Sequence, residues 1–313
     1  MSRDFKQLNI VPFLVVIELF SGCINLTGNK NIANKSINQE KMQLVPEITF
    51  VPEGGSQSNI TLYKNIPFVE VYINGSGPFL FCIDTGTTSL LLSNELIQKL
   101  RLKQSSRNTE VILHTSAGTT NLGRPYEVEN VSIGQATFNR LEAAQIQSGV
   151  LSKWGTKIDG VLGLGIFKNC ELQIDYINQK LNINNIKHLL PPEPKDRIPA
   201  VVNDRGDIFI EGKIADNIFT FQLDTGNAFG INISRQYQGD IKLKDAPVKL
   251  TVVSFVKMYE VLSGTLDGDA TFGNIVVQNP PIYIETQNLI GSEFFKDCIL
   301  RINQKEKYIS IQH

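Results

Sequence analysis

Two aspartates stand in matching surroundings, Asp84 in FCIDTGTTSLLLS and Asp224 in FQLDTGNAFGINIS. Each ends an apolar run and is followed by Thr-Gly. A lone carboxylate at the end of a buried strand is costly, so it must be exposed, paired or protonated. A second copy supplies the pair. Two carboxyl groups brought face to face cannot both ionise freely, so they share a proton and titrate together. The ionised member can take a proton from a water held between them, while the protonated member donates to a substrate carbonyl oxygen. That arrangement aims a water at an amide without a metal or a covalent intermediate.

The neighbouring residue types suit this geometry. Gly86 and Gly226 let each loop turn tightly and let the opposite backbone approach. Thr85 and Thr225 carry hydroxyls able to bond across to the other loop. Thr87 follows the first Asp-Thr-Gly, and Asn227 holds its place in the second.

The elements that deliver these loops read as strands. Phe68–Ile73 is β-type, Asn74-Gly75 is a hairpin signal, and Phe79–Ile83 returns to Asp84. The second series runs from Ile208, turns at Ala215-Asp216-Asn217, and returns through Ile218–Leu223 to Asp224. Ser93–Leu100 reads as one short helix capped by Ser93 or Asn94. Downstream, Gly163, Phe167, Lys168, Cys170, Leu172 and Ile174 recur as Gly291, Phe295, Lys296, Cys298, Leu300 and Ile302, all displaced by one interval. Matches at both ends of both copies identify an internal duplication. The Pro-rich connector Pro191–Arg197 separates the halves.

At 313 residues, 42% apolar and 19% charged, the chain is a folded globular protein with room for sizeable cores. A net charge of −1 and the lack of a long basic run give no electrostatic case for nucleic acid. The scattered histidines and cysteines lack zinc-ligand spacing, and neither a metal nor a cofactor is expected. The equivalent Cys170 and Cys298 fit two buried thiols as well as a disulfide. No Gly-x-Ser-x-Gly elbow, phosphate-binding loop or His-Glu-x-x-His motif occurs.

The paired motifs resemble the aspartic peptidases, both the two-lobed pepsin-like group and the single-lobe retropepsin-like group. The matching residues are Cys82–Gly86 and Gln222–Gly226, each with a downstream two-hydrophobics-Gly element, Val161-Leu162-Gly163 and Leu289-Ile290-Gly291. The resemblance implies an all-β fold of two similar lobes of the acid-protease type, related by an approximate twofold axis with a cleft between them. It implies an aspartic endopeptidase with Asp84 and Asp224 as catalytic residues and a peptide or protein as substrate. Thr85, Gly86, Thr87, Thr225, Gly226 and Asn227 would support the pair. The family's covering hairpin, or flap, would lie in residues 110–128, with Ser116, Ala117 and Gly118 at its tip. Residues 248–262 would form the counterpart in the other lobe.

The N-terminus carries a separate signal. Arg3 and Lys6 precede an apolar run from Ile10 to Phe20, then Ser21-Gly22-Cys23. This resembles a bacterial lipoprotein signal, with removal of residues 1–22, lipidation of Cys23 and attachment to a membrane of the cell envelope. An ordinary secretion signal with an incidental cysteine fits the same residues. Residues 23–47 read as a polar tether, 48–192 as the N-terminal lobe and 193–313 as the C-terminal lobe. A single chain holding both halves points to a monomer. Lobe-paired oligomers and a non-catalytic peptide-binding protein on the same fold are the alternatives.

Overall fold

Strand pairing in the computed structural model, which describes residues 16–17, 24–27, 45–107, 109–115, 118–147, 157–253 and 258–312, repeats in two halves with the same order and sense. In the first half, Ile66–Ile73 and Ser76–Asp84 form an antiparallel hairpin. Its turn residues Asn74 and Gly75 both have positive φ, +50° and +74°, the conformation that two-residue hairpin loops require. In the second half, Ile208–Ile214 and Asn217–Asp224 form the equivalent hairpin. Each aspartate strand then pairs in parallel with the two-hydrophobics-Gly strand. Gly163 lies beside Asp84 in one half and Gly291 beside Asp224 in the other. Leu90–Ser93 and Ile231–Ser234 complete the two sets by antiparallel pairing with those glycine strands.

The two glycines are fixed by sterics. A Cβ on Gly163 would sit 2.5 Å from the Ser89 carbonyl oxygen and 2.6 Å from its nitrogen; on Gly291 it would meet the Asn227 carbonyl at 2.7 Å. Only glycine lets these backbones approach. The short helix is Asn94–Leu100, and Ser93 is its cap, its Oγ accepting from the Leu96 amide at 3.1 Å. Leu96 and Ile97 anchor it in the core. The interior is filled by Phe81, Phe138, Phe167, Phe221, Phe229, Phe272 and Phe295, all fully buried, so the duplicated pair Phe167 and Phe295 is a packing motif.

A six-stranded antiparallel sheet draws on both halves of the sequence. Its order is Ser56–Tyr63, Lys180–Asn184, Glu171–Asp175, Ile299–Asn303, Tyr308–Gln312 and Ile198–Val202. The duplicated strands after Cys170 and Cys298 meet here, Leu172 opposite Ile302 and Ile174 opposite Leu300. Both cysteines are buried and no disulfide joins them, so the disulfide alternative does not hold. Within the stretch read as a tether, Ile24–Thr27 forms a strand antiparallel to residues 110–113. The open backbone edge of that hairpin supplies the hydrogen bonds that a tether would otherwise give to water.

Candidate functional site

The two Asp-Thr-Gly turns interlock. The Thr85 amide donates to Thr225 Oγ1 at 3.1 Å, and the Thr225 amide donates to Thr85 Oγ1 at 2.9 Å. Reciprocal bonds of this kind are the local signature of a twofold relation. Thr225 Oγ1 also donates to the Ile83 carbonyl at 2.9 Å, so one hydroxyl ties both loops. Asp84 Oδ1 accepts from the Gly86 amide at 2.8 Å and Asp224 Oδ1 from the Gly226 amide at 3.0 Å, the same bond in both copies. A Cβ on Gly226 would lie 2.6 and 2.7 Å from the Asp84 carboxyl oxygens, which explains glycine in that loop.

Both carboxyl groups are fully buried, and Asp224 acts directly on Asp84. Burial pushes Asp84 up to about 7. Asp224 and the Gly86, Gly226 and Thr87 backbone amides pull the other way without restoring the ordinary value. The pair therefore holds a proton near neutrality. An unfolded chain gives up the Asp84 proton near 3.8, whereas the folded chain keeps it to about 7. This contribution to stability is fully present below about pH 4 and is lost as pH rises through 7. Thermal melts between pH 4 and 8 should show stability falling with pH, and Asp84→Asn should flatten that slope. Parallel slopes in the two proteins would contradict this pair geometry.

Asn227 takes over the role of Thr87. Thr87 Oγ1 accepts from the Ser89 amide at 3.3 Å, and Asn227 Oδ1 accepts from the Phe229 amide at 2.8 Å. Their backbone carbonyls are likewise equivalent, accepting from Leu164 and Ser292 at 2.8 and 2.7 Å. The exchange keeps the loop, because an Asn side chain closes this local turn as a hydroxyl does.

The structure thus brings together Asp84, Thr85, Gly86, Thr87, Asp224, Thr225, Gly226 and Asn227. Gly118 opens the return strand of a hairpin formed by Glu110–Thr115 and Gly118–Gly123, with φ +136°. Ser116, Ala117 and Cys23 lie outside the described residues. The second hairpin is Val248–Val253 with Met258–Thr265. Val111 and Leu113 from the first hairpin, and Val252 and Val261 from the second, share one apolar cluster with Cys82, Leu91, Val161, Ala228 and Phe229. Both hairpins therefore pack beside the two Asp-Thr-Gly loops.

Residues 69–166 match a family model described as aspartyl protease. That span contains Asp84 and Gly163. The chain is also similar to basic 7S globulin from soybean, at 10% identity with a TM-score of 0.47, over 83% of this chain and 95% of that one. No curated protein sequence matches.

Three supporting residues escape a reading by motif. Gln222 Nε2 donates to the Gly86 carbonyl at 3.1 Å, bracing the first loop from the second half. Ser292 Oγ donates to the Thr225 carbonyl at 2.6 Å, with the Tyr176 hydroxyl 3.3 Å from Ser292 Oγ. These residues break the duplication. Gln222 stands opposite Cys82, and Ser292 stands opposite Leu164. Such departures from an internal repeat were the one signal available. Among the described residues, no group of three or more His, Cys, Asp or Glu is placed to hold a metal ion.

Proposed function

We propose that the chain is an aspartic endopeptidase in which Asp84 and Asp224 activate a water against a peptide carbonyl. The observation that carries this reading is the fully buried carboxyl pair on two loops locked together by reciprocal threonine bonds, at the centre of a duplicated fold. A protein that only bound peptides would gain nothing from two desolvated acids sharing a proton. The first hairpin suits the binding of an extended substrate, because it already accepts an added strand at an edge, Ile24–Thr27. Main-chain pairing of this sort holds a peptide regardless of its sequence and leaves specificity to side-chain pockets. The decisive experiment is cleavage of a diverse peptide mixture by the wild type, compared with Asp84→Asn and Asp224→Asn.

We also propose that the protein works as a monomer outside the cytoplasm, anchored to a bacterial envelope membrane through lipid on Cys23. The support is the basic start, the apolar run and the small residues before that cysteine. Among the described residues no helix is long and apolar enough to cross a membrane. Cells fed a labelled fatty acid should incorporate label into the wild type and not into Cys23→Ala. Equal labelling of both would refute the anchor.

A further inference from the structure

A chain of hydroxyls reaches the carboxyl pair through the second Asp-Thr-Gly turn. Ser292 Oγ donates its one hydrogen to the Thr225 carbonyl at 2.6 Å, so in its 3.3 Å contact with Tyr176 the phenol is the donor. The Thr225 carbonyl and the Gly226 amide belong to a single peptide unit. That amide donates to Asp224 Oδ1 at 3.0 Å and also favours the charged form of Asp84. The order is therefore Tyr176 hydroxyl, Ser292 hydroxyl, Thr225–Gly226 peptide, carboxyl pair.

Both hydroxyl-bearing residues are locked in place. Tyr176 and Ser292 are 2% and 0% exposed. The Ser292 amide donates to the Asn227 carbonyl at 2.7 Å and the Tyr176 amide to the Cys298 carbonyl at 3.1 Å, while the Tyr176 ring stacks on Phe295. By the displacement that relates the two halves, Ser292 corresponds to Leu164 and Tyr176 to Gln304. Leu164 has no hydroxyl, and Gln304 Nε2 donates instead to the Leu164 backbone carbonyl at 2.7 Å. The first half thus closes the same architecture without a hydroxyl at the position of Ser292. In a buried hydrogen-bond chain each member polarises the next, so an amide whose own carbonyl accepts becomes a stronger donor.

We propose that Tyr176 and Ser292 are positioning residues for the carboxyl pair, a relay that fixes the Thr225–Gly226 peptide and strengthens the Gly226 amide as a donor to the pair. The pair then becomes charged at a lower pH than its burial alone would set. Cys82, on the first aspartate strand, lies within electrostatic reach of both carboxyls, and Tyr176 within reach of Asp224, Cys82 and Cys298. Burial holds these two thiols and the phenol above their usual values, so all three stay neutral while the pair titrates.

Cleavage and melting test the relay separately, since only cleavage rests on the peptidase reading. In the full chain, Ser292→Ala should move both limbs of the pH profile of kcat/KM upward by about 0.5 pH unit, because losing a donor to the charged form raises a carboxyl's pKa. The fall of melting temperature with pH should level off at a pH higher by the same amount. Tyr176→Phe should give a smaller shift in the same direction, and none when added to Ser292→Ala, because it acts through the Ser292 oxygen. Ser292→Thr, which keeps a hydroxyl, should retain the wild-type profile. A merely structural role would lower activity and melting temperature at every pH without moving either curve along the pH axis, and that outcome in Ser292→Ala overturns the relay. Equal shifts by Tyr176→Phe with and without Ser292→Ala also overturn it. Should Ser292→Ala fail to fold, Tyr176→Phe removes only one oxygen, and unshifted curves in that variant overturn the relay. If the wild type cleaves no peptide, the peptidase reading falls, and the melting curves still decide the relay.

Discussion

Replacing either Asp84 or Asp224 by Asn should reduce kcat/KM for peptide cleavage by about 10²-fold to 10⁴-fold, the scale of lost general acid–base catalysis. The two variants should fail equally. In the proposed mechanism one carboxylate removes the water's proton while the other acid donates to the carbonyl oxygen, and neither step substitutes for the other. Folding should survive, because Asn keeps the shape and retains an oxygen to accept from the Gly86 or Gly226 amide, bonds of 2.8 and 3.0 Å. Asp84→Asn should moreover melt higher than the wild type at pH 8, since it removes an acid whose ionisation is opposed by burial. The wild type should lose activity as pH rises past about 7, where Asp84 gives up the proton that the mechanism needs. Retention of activity in a folded Asp224→Asn protein would end the paired-acid reading.

What the sequence made legible was local. The carboxylate, the glycines and the hydroxyls are each demanded within a few residues of chain. Gly163 and Gly291 announce a close backbone approach, and Asn74-Gly75 announces a two-residue turn. The duplication then told which loops belong together. Asn227 looked like a departure, but it makes the bond to Phe229 that Thr87 makes to Ser89, because two side-chain types serve one backbone need. The illegible features depend on which distant strands become neighbours. Tyr176 lies 116 residues from Ser292, and no spacing rule connects them. The strand at Ile24–Thr27 was hidden for the same reason, since its partner lies beyond residue 109 and the chain that follows it is polar. The six-stranded sheet joining the halves has pairings that local periodicity does not encode.

That sheet supports the largest stability effect. Glu171 is fully buried at its centre and binds residues from both halves. Arg301 Nη2 approaches Glu171 Oε1 at 2.8 Å, and Arg301 Nε donates to the same oxygen at 2.9 Å. The Tyr308 hydroxyl donates to Oε2 at 2.7 Å, and Asn184 Nδ2 donates to Oε1 at 3.3 Å. The Arg301 side chain is only 14% exposed, so removing Glu171 strands a cation and a hydroxyl away from water. Breaking one side of a buried ion pair costs about 3–5 kcal/mol. For a chain of this size that corresponds to a Tm lowered by roughly 6–10 °C in Glu171→Ala. The exposed pair Lys249–Glu260, with side chains 70% and 61% exposed, gives the contrast, and Glu260→Ala should cost less than about 1 kcal/mol. Replacing both partners, Glu171→Leu with Arg301→Met, should recover most of the loss, because no charge is then left buried. If Glu171→Ala melts within a degree of the wild type, the sheet is not held by this network. Because the sheet joins strands that lead from both Asp-Thr-Gly units, Glu171→Ala should lose peptide cleavage at the temperature where the sheet melts, although Glu171 touches neither aspartate. Activity persisting above that melting point would separate the carboxyl pair from the sheet that we argue positions it.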